Sequence, residues 1–423
     1  MKKRVAIVEG VRTPFCKAMG VFRDLDADDL GAFCVRELTE RVPFSLDEFD
    51  EAIIGNVMCP PHAYNVGRVI AIKGGLPDHV PAITVSRNCA SGMEALVIAA
   101  QRINLGIGDT YMAGGSESMS HVPIMYNDKA RKWLYALQKA KSFGQMMSLM
   151  FKFRPSFLKP VVPAIGDPLC GLTMGQTAEI LSRDFGITRQ QQDQFALESQ
   201  VRSVEATQNG IMAQEIHPVP VKGKMQQVDD GVRDDQTIEQ LKKLRPVFEK
   251  LTGTVTAGNS SQVTDGAAML VVMDEEKAKA LGLTPLGYIT SFAYAGLDPA
   301  RMGLGPAYAS AKIVKETGMK LADFDLIEIN EAFAAQVLAV RAALASDSFC
   351  RENLGFDQAI GEIDLNRLNV NGGAISLGHP LGASGARIVL TLLKELKRRG
   401  LHRGLATLCV GGGQGEAVAV EVA

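Results

Sequence analysis

Short apolar runs ending in glycine-rich turns recur along the chain, and most are followed by stretches with helical spacing. Val5–Val8 is apolar throughout and reads as a buried strand. Asp28–Leu38 has apolar positions at helical spacing behind two acids, Asp28 and Asp29, which suit the positive end of a helix. Asp50–Val57 reads as a strand. Ile83-Thr84-Val85 leads into the turn Asn88-Cys89-Ala90-Ser91-Gly92, and Ala90–Leu105 as the helix after it. Thr110–Gly115 reads as a strand broken by its glycines.

The C-terminal part repeats this order. Asp325–Asn330 matches the Asp50 strand, and Leu368-Asn369-Val370 with Gly382-Ala383-Ser384-Gly385 matches Ile83-Thr84-Val85 with Cys89-Ala90-Ser91-Gly92. From Ser91 to Gly114 is 23 positions (114 − 91), and from Ser384 to Gly411 is 27 (411 − 384). Like order and similar spacing predict a duplicated βαβ-type α/β architecture with sites where the copies meet. Gly382 then stands where the first copy has Cys89. Ala383–Leu390 opens a helix whose last turn, Lys394–Arg399, is rich in cations and ends at Gly400. Three residues stand at turns that follow apolar runs: Cys89, His379 in Gly378-His379-Pro380, and Cys409 in Cys409-Val410-Gly411-Gly412-Gly413.

Between the copies, roughly residues 122 to 253, the pattern changes. Lys129–Pro163 carries Lys129, Arg131, Lys132, Lys139, Lys141, Lys152, Arg154 and Lys159 and no acid, interleaved with Trp133, Phe143, Phe151, Phe153 and several Met and Leu residues. That is +8 in a chain whose net charge is −2, leaving −10 elsewhere (−2 − 8). Such a stretch fits a membrane surface or a docking partner. It also fits a lid whose cations face an anionic ligand, and both readings stay open. Thr188–Asn209 reads as a long helix, and Val228–Lys243 as exposed loop and short helix.

Composition adds limits. The 423 residues are 46% hydrophobic and 22% charged, with 42 glycines, which suits a globular α/β chain with many tight turns. The small net charge gives no case for nucleic acid. Seven cysteines without paired spacing point to reduced thiols, and no metal-ligand spacing is present. The start Met1-Lys2-Lys3-Arg4 runs straight into the first strand and no apolar run reaches spanning length, so a cytoplasmic location is expected.

A cysteine at a helix N-terminus is expected to gain thiolate character, and His379 is the candidate base for Cys89. Cys409 is a second thiol beside a turn whose free N–H groups can hold an oxyanion. Cys16, Cys34, Cys59, Cys170 and Cys350 are assigned to packing, and His62, His79, His121, His217 and His402 to surface or structural roles.

Four blocks, Asn88-Cys89-Ala90-Ser91-Gly92, Asn330-Glu331-Ala332-Phe333, Gly378-His379-Pro380-Leu381-Gly382 and Cys409-Val410-Gly411-Gly412-Gly413, resemble the active-site blocks of the thiolases and occur in the family's order. The resemblance runs from Val5 to Val422. It implies a thiolase-like, five-layered α-β-α-β-α core with an inserted loop domain. The divisions would be residues 1–121, completed by 254–284, for the N-terminal core, 122–253 for the loop domain and 285–423 for the C-terminal core. It also implies Cys89 as the acylated nucleophile, His379 as its base, and Cys409 as the acid and base at the enolate carbon. Asn330, through a water, and His379 would hold the enolate oxygen. The N–H groups of Cys89 and Gly411 would hold the acyl carbonyl. Ala257, Ser261, Met174 and Phe333 match positions lining the pantetheine channel.

No metal or prosthetic group is implied, and coenzyme A enters as substrate. The insertion most resembles the β-subunits of fatty-acid oxidation complexes, long- and medium-chain 3-ketoacyl-CoA thiolases that bind a hydratase–dehydrogenase α-subunit. Asn330 stands where that group usually carries His, as in short-chain and biosynthetic thiolases. Degradation of 3-ketoacyl-CoA and condensation of two acetyl-CoA therefore both stay open. A non-catalytic lipid carrier of thiolase fold would commonly lose one of the cysteines or the histidine, and this chain keeps all three. A homodimer or a dimer of dimers is expected.

Overall fold

The computed structural model describes residues 3–161 and 166–422. The first half runs β1 (Val5–Arg12), α1 (Ala27–Arg41), β2 (Glu51–Gly55), α2 (Val66–Lys73), β3 (Ala82–Val85), α3 (Ser91–Leu105) and β4 (Thr110–Glu117). The intervening segment contributes α4 (Asp128–Gln138), α5 (Phe143–Phe151), α6 (Met174–Asp184) and α7 (Arg189–Gln208), after which β5 (Thr264–Asp274) completes the first half. The second half runs β6 (Gly287–Gly296), α8 (Gly305–Thr317), β7 (Leu326–Ile329), α9 (Ala334–Leu344), α10 (Leu381–Arg399), β8 (Arg403–Val410) and β9 (Gln414–Glu421).

The main sheet has the order β7-β8-β9-β6-β1-β5-β4-β2-β3. Outward from the β1–β6 seam the halves match. β1, β5 and β4 pair antiparallel and β4, β2 and β3 parallel; β6, β9 and β8 pair antiparallel and β8 with β7 parallel. The duplication reaches single hydrogen bonds. Asp50 Oδ2 accepts from the amides of Asp109 and Thr110 where β4 begins, and Asp325 Oδ2 accepts from His402 and Arg403 where β8 begins.

Strand alternation divides the core into layers. Ala268, Leu270 and Val272 of β5 pack with α3 and α10, whereas Met269, Val271 and Met273 pack with α1 and α2. In β9, Val418 and Val420 join the α3–α10 cluster, and Ala417 and Ala419 join α8 and α9. The five layers α-β-α-β-α follow, with α3 and α10 in the middle. Each fully buried Leu, Ile or Val there contributes about 1.5–3 kcal/mol.

The two middle helices cross at glycines. A Cβ on Gly92 would stand 2.6 Å from Gly382 O, and one on Gly385 would stand 2.5 Å from Met93 N. Gly115 admits the same Gly382 carbonyl, so β4 continues to Glu117 through its glycines and is not broken by them. Leu368–Val370 also departs from expectation, making only a bridge at Leu368 to Ile327. Asn369 takes a positive φ of 46°, and its side chain bonds both Ile329 N and Ile329 O at the end of β7.

In the inserted segment α4 packs on α5 and on the turn Pro155–Leu158. Trp133 Nε1 donates to Leu149 O (2.7 Å) and its ring lies 5.2 Å from Phe153. Tyr126, Tyr135, Phe143, Phe151 and Leu158 remain exposed. Val162 and Pro163, the end of the basic stretch, lie outside the described residues. Among the described residues no helix is long and apolar enough to cross a membrane.

Candidate active site

Cys89 immediately precedes Ala90, the N-cap of α3. Its turn is held by Ser91, whose Oγ accepts from Arg87 N and donates to Asn88 O. Asn88 takes a positive φ of 45°, a conformation Asn tolerates, and its Nδ2 donates to Gly411 O at 2.8 Å. The nucleophile turn and the glycine turn after β8 are thereby joined. The amides of Gly411 and of Cys89 itself reach the Cys89 sulfur. They oppose the burial that pushes the thiol above its ordinary range, and burial wins. The expected gain in thiolate character at the helix end is therefore absent in the resting protein, and a base is needed.

His379 follows the short helix Ala374–Leu377 rather than a strand. Gly378 before it has φ 102°, and a Cβ there would overlap Thr264. His379 N donates to Gln262 O, and Gln262 Nε2 donates to the carbonyls of Ile375 and Ser376. The ring is buried, with Nδ1 2.5 Å from Ser384 Oγ. Ser384 gives its own proton to Pro380 O, so it accepts from Nδ1–H and leaves the lone pair on Nε2. Asn330 Nδ2 lies 3.4 Å from that Nε2. Burial, with a smaller effect from Arg387, lowers the histidine pKa to about 3 and keeps the ring neutral. A neutral imidazole with its lone pair on Nε2 is the form a general base requires.

Cys409 lies inside β8, paired with Gly415, and not in the turn that follows. Burial, with the nearby Cys89 second, pushes its thiol far up. It packs in a cluster with Phe333, Met174 and Phe248. Met174 Sδ lies 3.5 Å from where a Gly411 Cβ would stand. Ser261 N donates to Ala332 O, bringing that loop beside the Asn330–Phe333 block. Ala257 is exposed on the neighbouring turn, outside the buried cluster.

The structure thus brings together Cys89, Cys409, Gly411, Met174 and Phe333 on one side, and His379 with Asn330 on the other. The backbones of α3 and α10 pack at their glycines between the two groups, and Glu117 ties α10 to the loop after β2. It accepts from Val57 N, Met58 N and Asn56 Nδ2 in the first half and from Gly382 N in the second.

Several contributors went unread in the sequence. Ser384 orients His379, Asp167 accepts from Gly412 N at 2.8 Å, and Phe248 stacks edge-on against Phe333 at 6.0 Å. Ser384 alone had a signal, since it aligns with Ser91, which also braces a turn. Asp26, Asp28 and His62 lie close enough to share a cation, but Lys73 Nζ already contacts Asp28 and Asp29.

Comparison with known proteins agrees with this geometry. The family model described as thiolase, N-terminal domain, matches residues 5–276, and that for thiolase, C-terminal domain, matches residues 283–422. A 3-ketoacyl-CoA thiolase of Yersinia enterocolitica is 42% identical over 422 residues, 99% of this chain and 97% of that one. The crystal structure of Bacillus anthracis acetyl-CoA acetyltransferase superposes with a TM-score of 0.86 at 37% identity, covering 100% of this chain and 99% of that one. Human mitochondrial 3-ketoacyl-CoA thiolase in complex with CoA gives 0.85 at 36%, covering 100% and 98%. With a half-buried thiol at Cys89, a buried one at Cys409, a neutral histidine and a duplicated core matched along both halves, the chain belongs to the thiolase family.

Proposed function

We propose that the chain is a 3-ketoacyl-CoA thiolase, cleaving 3-ketoacyl-CoA with CoA to acetyl-CoA and a shortened acyl-CoA in fatty-acid β-oxidation. The observation that carries the reading is the neutral His379, its lone pair fixed on Nε2 by Ser384, in a site with two thiols whose pKa values are held up. In the first half-reaction His379 Nε2 takes the Cys89 proton and the thiolate adds to the C3 carbonyl. The amides of Cys89 and Gly411 hold the resulting oxyanion. The C2–C3 bond then breaks and the acyl group stays on Cys89. The enolate oxygen is held by His379 Nε2–H and Asn330, the latter through a water, while Cys409 gives its proton to C2. In the second half-reaction the Cys409 thiolate takes the CoA proton, CoA attacks the thioester, and His379 returns its proton to Cys89. Met174, Phe333, Ser261 and Ala257 line the pantetheine channel in this reading. Removing one oxyanion donor in such a site costs roughly two to three orders of magnitude in kcat.

One observation favours a second reading, condensation of two acetyl-CoA: position 330 is Asn. The two are separated by kcat/KM for thiolysis of 3-ketoacyl-CoAs from short to long acyl chains, with Cys89→Ser as blank. A rate that holds or rises with chain length supports the degradative enzyme; a rate confined to acetoacetyl-CoA supports the second reading and refutes the first.

The same reading takes the active form as a homodimer or dimer of dimers. It is supported by β3, at the end of the strand order with Ile83 and Val85 only half-buried. The exposed aromatic and cationic face of α4 and α5 is its contact for an α-subunit or an anionic membrane surface. Retention on anionic vesicles that weakens with salt supports the membrane contact, and no retention at low ionic strength excludes it.

A further inference from the structure

Behind the Cys89 turn lies a set of charged groups that the acyl-transfer steps do not use. Arg87, two residues before the nucleophile, forks onto Glu94 of α3 with Nε at 2.9 Å and Nη2 at 3.2 Å. Its Nη1 donates to Gln414 Oε1 at 3.2 Å, where β9 leaves the turn that carries Gly411. The guanidinium carbon lies 4.3 Å from the ring centroid of Tyr294 on β6. Glu416 of β9 is fully buried 3.7 Å from Arg87 Nε, and both its carboxyl oxygens lack partners among the described residues. Burial first, then Glu94, pushes the Glu416 carboxyl well up, and the hydrogen bonds of the guanidinium go to Glu94 and Gln414 instead.

One side chain therefore joins three things: the turn of Cys89, the first turn of α3, and the start of β9 after the Gly411 turn. The two amides that face Cys89 Sγ come from opposite ends of the chain and from turns, not from a shared strand ladder. Their alignment depends on whatever fixes one turn against the other. The exposed bond from Asn88 Nδ2 to Gly411 O spans the gap once, and the half-buried Arg87 spans it a second time through Gln414. A planar fork suits this task, because a lysine ammonium cannot hold Glu94 through two parallel bonds and Gln414 as well.

We propose that Arg87 is a positioning residue for acyl transfer, holding the Cys89 turn against the Gly411 turn so that both amides point at one oxyanion. This rests on the thiolase reading given above.

The test compares wild type with Arg87→Gln, Arg87→Lys and Gln414→Leu in two assays. The first is thiolysis of acetoacetyl-CoA, read as kcat and KM. The second needs no turnover: iodoacetamide labelling of Cys89 across pH, followed on the Cys89 peptide by mass spectrometry. Arg87→Gln is expected to lower kcat about ten- to a hundredfold, part of the cost of a whole oxyanion donor, with KM within about twofold. It is also expected to shift the labelling midpoint to higher pH, because the amides that stabilise the thiolate are displaced. Arg87→Lys recovers part of both effects. Gln414→Leu moves both readouts in the same direction by less, and adds little to Arg87→Gln in the double variant.

Wild-type kcat and midpoint in Arg87→Gln overturn the proposal, and so does an effect on KM alone. If Arg87→Gln does not fold, Gln414→Leu decides, and unchanged values there overturn it. The thiolase reading fails separately: a wild type that cleaves no 3-ketoacyl-CoA, beside an Arg87→Gln that still shifts the labelling midpoint, refutes that reading and leaves the positioning of the Cys89 turn by Arg87 standing.

Discussion

Replacing Ser384 with Ala perturbs the histidine from the side facing away from substrate. Ser384 Oγ accepts a hydrogen bond from His379 Nδ1–H at 2.5 Å and donates one to Pro380 O at 2.9 Å. In Ser384→Ala the buried Nδ1–H loses its acceptor, which costs about 1–3 kcal/mol. The ring can also move that proton to Nε2, beside Asn330, and the tautomer so formed has no lone pair to offer Cys89. If the full cost falls on the reactive tautomer, kcat drops about 5- to 150-fold, since 1.36 kcal/mol is tenfold. KM should change little, because Ser384 is buried behind the ring. His379 is held neutral by burial in both proteins, so the loss should be the same at every pH where the wild type is active. The assay is steady-state thiolysis of acetoacetyl-CoA across pH, with circular dichroism to show that the fold survives. A folded Ser384→Ala with kcat within about twofold of wild type would refute the tautomer argument.

Two further outcomes follow from buried contacts. The His379 pKa falls from 6.5 to about 3 on folding, so its contribution to stability is full above 6.5 and is lost as pH falls toward 3. At pH 5 the loss is about 2 kcal/mol, 1.5 units at 1.36 each. Urea unfolding of wild type and His379→Asn at neutral pH and at pH ~5 should therefore show the wild type losing about 2 kcal/mol more, and equal losses would contradict the burial argument. Gly385→Ala should cost about 1–3 kcal/mol or more by overpacking the α3–α10 crossing, where its Cβ meets Met93 N at 2.5 Å. An unchanged melting temperature would show that the crossing relaxes freely.

Much of this was legible before any coordinates, for identifiable reasons. The duplicated order of strands, turns and helices shows in local patterns, because each half repeats the same glycine-rich turns and the same acid ahead of its second strand. Thr188 with Gln191 marks the start of α7, a capping box spaced by helix geometry. The misreadings have local causes too. Leu368-Asn369-Val370 looks like a strand, but Asn369 spends its side chain on Ile329 in place of a backbone ladder. The glycines of β4 look like breaks, yet they make room for the Gly382 carbonyl, a contact set by a helix far along the chain. Asp167, Phe248 and the Arg87–Gln414 contact were missed because the partner in each is brought near only by the fold, whereas Ser384 lies five residues from His379 and its role shows only once the ring is placed. Cys89 at a helix end suggested a thiolate, but burial outweighs the end of the helix there.

The central claim is that the acyl group passes through Cys89. Wild-type protein mixed with acetoacetyl-CoA in the absence of free CoA, quenched in acid and digested, can be read by mass spectrometry of its cysteine peptides. The account predicts an acetyl thioester on the Cys89 peptide, discharged when CoA is added before the quench. It predicts no such adduct in Cys89→Ala. Turnover without a Cys89 adduct, or a CoA-dischargeable thioester on Cys409 instead, would contradict it.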